Sequence, residues 1–495
     1  MNRSHKRRIT LVLCGVLGAG ALSGLAPSWG LSRAGAAEPP LRLERSEAWA
    51  PLAIAAPVTG RTSDDSVSIE GNGTRTCCGG WQFLYNGVAG KHAYRVRTRV
   101  EHQGLAHARD SLVAVVLYDA WSPTQTETGE RPCNYLLPHP VSDDAMDFEA
   151  VVVPPEGATR MTVRYIFRWS ERGRSRWATP RIEPASLPAK KPVKICVVST
   201  RTSTPARTKV QPLARGLGLP DDVARSVDVW GSLILAACDR KPNLIVTPET
   251  VIGGKGLVEG SVTVPGPAMK PFQTIAREHK IHLVLGTKQR DGDAYYNSAV
   301  VIGPGGEIAG VYHKVHLATS EGLSGLSAGA SFPVFETGIG RLGCLICMDT
   351  TVSESARMLA LNGAEVICFP IMGDLRADRF SPGSPIFQEE RWKAIMRTRA
   401  LDNQVCMVVA RNEAQGSCII DRKGDILAWN EGDQEVIEAT HIPDDGYRAW
   451  DGTDFREVTF LLRRPHLYGS YTEEGLTAPP RRPNPSLPAP RLTGP

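Results

Sequence analysis

The apolar residues of this chain change rhythm once, near residue 190, and no single sheet or bundle accommodates both halves. Before the change they alternate with a period of two. "HAYRVRTRV" sets Tyr94, Val96, Thr98 and Val100 on one face and Arg95, Arg97 and Arg99 on the other. "RMTVRYIFRW" repeats the pattern with Met161, Val163, Tyr165 and Phe167 against Arg164 and Arg168. Successive side chains of a strand point to opposite faces, so each run reads as a half-buried antiparallel strand. Turn clusters such as "PEGA" and "ERGRS" separate the runs, and many such strands predict a β-sandwich. After "PASLPAKKP" short apolar strands alternate with amphipathic helices: "KICVVST", a helix near 221–240, "NLIVTP", a helix near 267–280, "IHLVLGT". A hairpin, "NSAVVIG" and "EIAGVYH", turns about Pro304, Gly305 and Gly306. "RLGCLIC", a helix, "EVICFP", a helix through Arg399, "VCMVVARN" and the hairpin "SCIIDRKGDILAW" follow. This half predicts an α/β fold with mixed sheets.

A length of 495 residues requires more than one core. The expected division is 1–37 signal peptide, 38–188 β-sandwich, 189–472 α/β domain and 473–495 flexible tail. The first segment joins a basic start, "NRSHKRR", to an apolar stretch from Ile9 to Ala26 and a small-residue stretch with Ala34 and Ala36 in A-x-A spacing. That is the layout of a secretory signal peptide cleaved near Ala36 or Ala37, and it predicts a secreted or periplasmic protein. Arg3, Lys6, Arg7, Arg8 and Arg33 precede the first acid, Glu38, and account for the whole formal charge of +5. The body of the chain is therefore neutral, and nothing in its charge calls for nucleic acid or an anionic membrane as partner. The closing "APPRRPNPSLPAPRLTGP" is too rich in proline to pack alone.

Export permits disulfides, and a bridge from Cys77 or Cys78 to Cys133 is expected. Cys196, Cys238, Cys368, Cys406 and Cys418 lie in apolar runs and read as packed thiols. Cys344 and Cys347 form a C-x-x-C, but "GRLGCLICMD" reads as a strand, on which residues three apart face opposite ways and do not bridge. A zinc site would need two further ligands at suitable spacing. Trp81, Trp121, Trp169 and Trp177 are either sandwich core or sugar-stacking platforms.

In open α/β sheets reactive groups gather at strand ends. Glu249 follows "LIVTP", Lys314 follows "EIAGVYH" and Cys347 ends "RLGCLI". Alone, each has an ordinary structural explanation; together they make a nucleophile, an acid and a cation.

The blocks "LIVTPET", "AYYNSAVVIGPGGEIAGVYHKVHL", "GIGRLGCLICMDTTVSESARMLALNGAEVICFP" and "MRTRALDNQVCMVVARNEAQGSCIIDRKGDILAW" resemble, in order and spacing, those of the carbon-nitrogen hydrolases, the nitrilase and amidase superfamily. "RRPHLYGSYTEE" is similar to its C-terminal stretch, so the resemblance runs from Lys194 to Thr472. It implies an αββα sandwich, a catalytic triad of Glu249, Lys314 and Cys347, a second glutamate at Glu321, and the backbone N–H of Met348 as an oxyanion donor. It further implies a homo-oligomer and a reaction that needs no metal or organic cofactor. Nitrilases proper of the superfamily carry Trp-Glu after the cysteine, whereas Met348 and Asp349 stand here, which points to amide or N-carbamoyl substrates. Asp402 in "RALDN" replaces the family's usual glutamate. The expected function is an exported thiol hydrolase that forms a Cys thioester and releases ammonia or an amine from a small molecule. Two other readings stay open: an N-acyltransferase using the same acyl-enzyme, and a secreted glycan-binding protein with an inactive hydrolase domain. The first half of the chain is similar in pattern to jelly-roll, galactose-binding-like modules, which implies a glycan partner. Arg376 and Arg379, in the loop "MGDLRADRFSPGSPIFQ", are candidates for binding a substrate carboxylate.

Overall fold

Eleven strands between Arg42 and Ala185 hydrogen-bond into one continuous sheet. It folds over at the strand Cys133–Ser142, whose first residues pair with Leu112–Tyr118 and whose later ones pair with Ala145–Val152. The fold brings the inner faces of two layers together. Phe83, Tyr165 and Phe167 from one layer meet Tyr94, Val96, Phe148 and Trp177 from the other in a single core, and the rings of Tyr165 and Trp177 stack at 4.5 Å. The opposite face of Ala93–Gln103 carries Arg95, Arg97 and Arg99, paired with Glu149, Glu183 and Asp147. These pairs are exposed, and each contributes at most about 1 kcal/mol. The computed structural model describes residues 41–120, 133–186, 190–200, 207–372, 387–443, 446–447 and 453–469. The signal-peptide segment, Trp121, Arg376, Arg379 and the proline-rich tail lie outside these residues.

The expected disulfide does not form. Cys78 opens the strand Cys78–Asn86, and two further strands, Arg160–Arg168 and Leu112–Tyr118, lie between it and Cys133–Ser142. At about 4.8 Å per strand the separation is roughly 14 Å, well over the ~7 Å limit between bridged α-carbons. The tryptophans divide. Trp177 is core, Trp81 donates its Nε1–H to Ser46 Oγ at 2.7 Å, and Trp169 is 55% exposed with the Arg168 guanidinium 3.9 Å over its ring.

Beyond residue 190 two sheets stack face to face. One holds, in spatial order, Ile308–His313, Ala294–Ile302, His282–Asp291, Leu244–Val246, Val193–Val198 and Val436–His441, with Val262–Thr263 beside His282–Asp291. The other runs Val334–Thr337, Gly340–Cys344, Val366–Ile371, Cys406–Arg411, Cys418–Ile420 and Ile426–Trp429. Alternation along each strand sets the layering. Ile195 and Val197 pack between the sheets against Leu342, Cys344 and Cys368, while Cys196 and Val198 point outward among residues of the helices Asp221–Cys238 and Lys270–His279. On the far side Ile367 and Phe369 meet the helices Ser353–Leu361 and Glu389–Asn403. The order of layers is helix, sheet, sheet, helix.

The chain from Leu41 onward is one compact unit, and its C-terminal segment joins the two halves. From the helix Phe455–Leu461, Arg456 donates to the carbonyls of Ala360 and Ala364. Just beyond it Arg464 Nε bonds Asp110 Oδ2 at 2.9 Å, and His466 stacks on His107 at 3.6 Å. Arg109 donates to the carbonyl of Phe460.

Candidate active site

The strand Leu244–Val246 runs out towards Glu249, which lies against Gly286 of the neighbouring strand. A Cβ at Gly286 would sit 1.9 Å from the Pro248 carbonyl oxygen and 2.7 Å from Glu249 Cα, so only glycine allows this approach. Lys314 directly follows the strand Ile308–His313 and is fixed at its backbone, its N–H donating to Asn297 O and its carbonyl accepting from Gly329 N–H. Glu321 sits in the short helix Thr319–Leu323 and receives the Ala318 N–H at 2.7 Å.

The structure brings these three side chains together inside the protein, where Glu249 is 4% and Lys314 1% exposed. Lys314 Nζ is 2.9 Å from Glu249 Oε1 and 2.7 Å from Glu321 Oε2. Asn297 Nδ2 donates to both acids, at 2.6 Å to Glu249 Oε1 and 2.6 Å to Glu321 Oε1. The Met372 N–H completes the set at 2.6 Å from Glu249 Oε2. Burial alone would lower the pKa of the Lys314 ammonium; Glu249, Cys347 and Glu321 outweigh it and raise it above the usual lysine range. The ammonium therefore stays charged.

Cys347 stands elsewhere than the sequence pattern predicts. The strand ends at Cys344, and Cys347 opens a separate 3₁₀ turn, Cys347–Thr351, with φ of +44°. For a residue other than glycine such a backbone costs on the order of 1–3 kcal/mol and is held only by its surroundings. The two thiols of the C-x-x-C differ for that reason and not through strand alternation. Cys344 is packed between the sheets, where burial pushes its thiol up to about 12; Cys347 is half-buried at the start of the turn and acts electrostatically on Lys314. Met348 is the second residue of that turn.

Two further side chains contribute in ways the sequence pattern does not show. Asn297 is one; a polar side chain in the apolar strand Ala294–Ile302 was the available signal. Asp349, two residues after the thiol, is the other. Its carboxylate is fully buried and accepts from Ile346 N–H at 2.8 Å, Tyr312 Oη–H at 2.7 Å, and both the backbone N–H and Nδ1 of His316 at 2.9 Å. Burial and the Asp349 charge drive the Tyr312 hydroxyl pKa strongly upward, so it remains a donor. His313 is engaged elsewhere, stacked on Tyr296 and bonded to Gln289. Asp402 is exposed, and its carbonyl accepts from Arg357.

A family model described as carbon-nitrogen hydrolase matches residues 214–450. A nitrilase of Pyrococcus abyssi is 34% identical over 225 residues, covering 42% of this chain and 80% of its own length. A citrullinase of Francisella tularensis is 27% identical over 274 residues, 51% of this chain and 94% of the relative. A human omega-amidase is 28% identical over 221 residues, 42% of this chain and 73% of the relative. Layered sheets with an acid and an ammonium paired beyond their strand ends, and a thiol on a turn close enough to act on that ammonium, are the frame on which these matches fall. The chain belongs to the carbon-nitrogen hydrolase family.

Proposed function

We propose that this protein hydrolyses the carbon–nitrogen bond of a small amide or N-carbamoyl compound through a thioester on Cys347, and that it acts after export. The observation that carries this reading is the buried cluster of Glu249, Lys314 and Glu321 beside a half-exposed thiol on a strained turn. An amide carbonyl is a weak electrophile, so its cleavage needs a nucleophile, a proton shuttle and stabilisation of the developing oxyanion. Glu249 takes the thiol proton as sulfur attacks and returns it to the leaving nitrogen. Lys314 and the N–H of Met348 stabilise the tetrahedral oxyanion, where one lost donor typically costs about 3 kcal/mol. Glu321 orients the leaving group and then the water that hydrolyses the thioester. Met348 and Asp349 after the thiol favour amide over nitrile, and the names of two relatives, a citrullinase and an omega-amidase, fit the same choice. An ammonia-release screen over amides and N-carbamoyl compounds, with Cys347→Ala as control, tests this; an acyltransferase would instead transfer the acyl group to an added amine in preference to water.

For the all-β region, read as a sandwich module, we propose a glycan ligand. A groove of about 960 Å³ on its outward face is lined by Ser68, Glu70, Arg99, Glu101, Gln103 and Arg176 among others, a polar set suited to hydroxyl groups.

A further inference from the structure

The lysine and the nucleophile come from different sheets. Lys314 leaves the strand Ile308–His313 at the edge of the first, whereas Cys347 follows Gly340–Cys344 of the second. Acyl transfer with an oxyanion held by Lys314 requires these two elements at a fixed separation, and a misplacement of about 1 Å can cost on the order of a hundredfold in rate. The cluster around Lys314 holds the ammonium against Glu249 and Glu321, both reached from the first sheet.

Asp349 spans the gap. Its Oδ2 receives the N–H of Ile346, immediately before the nucleophile, and the hydroxyl of Tyr312, two residues before the lysine. Its Oδ1 receives the N–H and Nδ1 of His316, two residues after the lysine. The Tyr312 oxygen in turn accepts from the N–H of Val315 at 3.3 Å. An ionised carboxylate only accepts, so it satisfies donors from both sheets at once. Two of these donors are backbone groups, which have no side-chain slack.

We infer that Asp349 is a positioning residue, whose carboxylate ties the turn of Cys347 to both flanks of Lys314 and so sets the geometry in which thiol and ammonium act on one carbonyl. The inference rests on the roles assigned above to Cys347 and Lys314. Asp349→Asn keeps the shape but turns an amide N–H₂ towards two donors, which loosens the tie while leaving the Glu249, Lys314, Glu321 and Asn297 contacts in place.

The experiment measures kcat, KM and thermal midpoint for Asp349→Asn, Tyr312→Phe and the double variant, on the best amide found in the screen. Asp349→Asn should lower kcat about a hundredfold with KM unchanged, since a group that acts only in the transition state affects kcat and kcat/KM alike. Tyr312→Phe should lower kcat less, and the double variant should be no worse than Asp349→Asn because both act through one tie. An unchanged kcat in Asp349→Asn, or additive losses in the double variant, would overturn the inference. Should Asp349→Asn fail to fold, Tyr312→Phe decides alone, and an undiminished kcat there refutes the proposal. Turnover that survives Cys347→Ala is a separate outcome: it removes the assigned nucleophile and is read without any change at Asp349.

Discussion

Lys314 Nζ lies 2.9 Å from Glu249 Oε1, although 65 positions separate the two residues in sequence. Both are almost wholly buried, so breaking the pair from either side leaves a charge in a poorly solvating place. Lys314→Met should abolish turnover and destabilise the fold by about 3–5 kcal/mol. Adding Glu321→Gln should recover part of the thermal midpoint but no activity. Full stability in the single variant would show that the cluster bears little charge.

The same lysine fixes a pH dependence. Its pKa is raised in the folded protein, so its contribution to stability is complete below the unfolded value of about 10.4 and is lost as pH rises through the folded one. Wild type and Lys314→Met should thus differ by a constant amount in thermal midpoint from neutral pH to roughly pH 10, and converge only in stronger base. Convergence near neutrality would contradict the raised value.

Cys347→Ala should be inactive, whereas Cys344→Ala should keep most of its turnover and lose only about 1 kcal/mol of stability from the vacated core volume. Equal inactivation of both variants, with unchanged midpoints, would displace the nucleophile from Cys347.

Glu249→Gln preserves shape but removes the proton acceptor, and acylation should slow by about 10²–10⁴. Every step assigned to Glu249, Lys314, Cys347 and Glu321 runs on protein groups, so a chelator such as EDTA should leave the rate as it was. Inhibition by chelator that added metal reverses would defeat this mechanism.

In the all-β region, a panel of soluble polysaccharides should reveal a ligand whose binding weakens in Arg176→Ala and Glu101→Gln, since these two side chains pair at 2.8 Å in the groove. Hydrolysis of small amides should be unaffected. Binding that ignores both changes would place the ligand elsewhere.

The alternation of strands and helices and the strand-end positions of Glu249 and Lys314 are legible in the residues themselves, because strand ends are marked by a change from apolar to polar residues. The αββα layering and Glu321 are legible only through the resemblance of the long motif blocks to the carbon-nitrogen hydrolases. Other features depend on which segments become neighbours in space. The Cys78 to Cys133 bridge fails because two strands from elsewhere in the chain intervene, and no local pattern records that order. Cys347 resembled a strand residue because "CLIC" is apolar throughout, yet a positive φ breaks the strand. The bonding roles of Asn297 and Asp349 are not legible in sequence, even though Asp349 stands in a motif block, because they lie in what the side chains satisfy, and the partners are set by tertiary packing.

The strand Val193–Val198 is flanked by Leu244–Val246 on one side and by Val436–His441, from much later in the sequence, on the other. During synthesis its second edge must stay open until Val436–His441 has left the ribosome. Such late pairing makes for slow folding and leaves an unpaired ladder exposed meanwhile. The same delay applies to Arg464 and its hold on Asp110. A chain truncated before Val436 would therefore be left with an apolar, unpaired edge that invites aggregation, and the segments that seal the first sheet and its junction with the all-β half are made long after the strands they close.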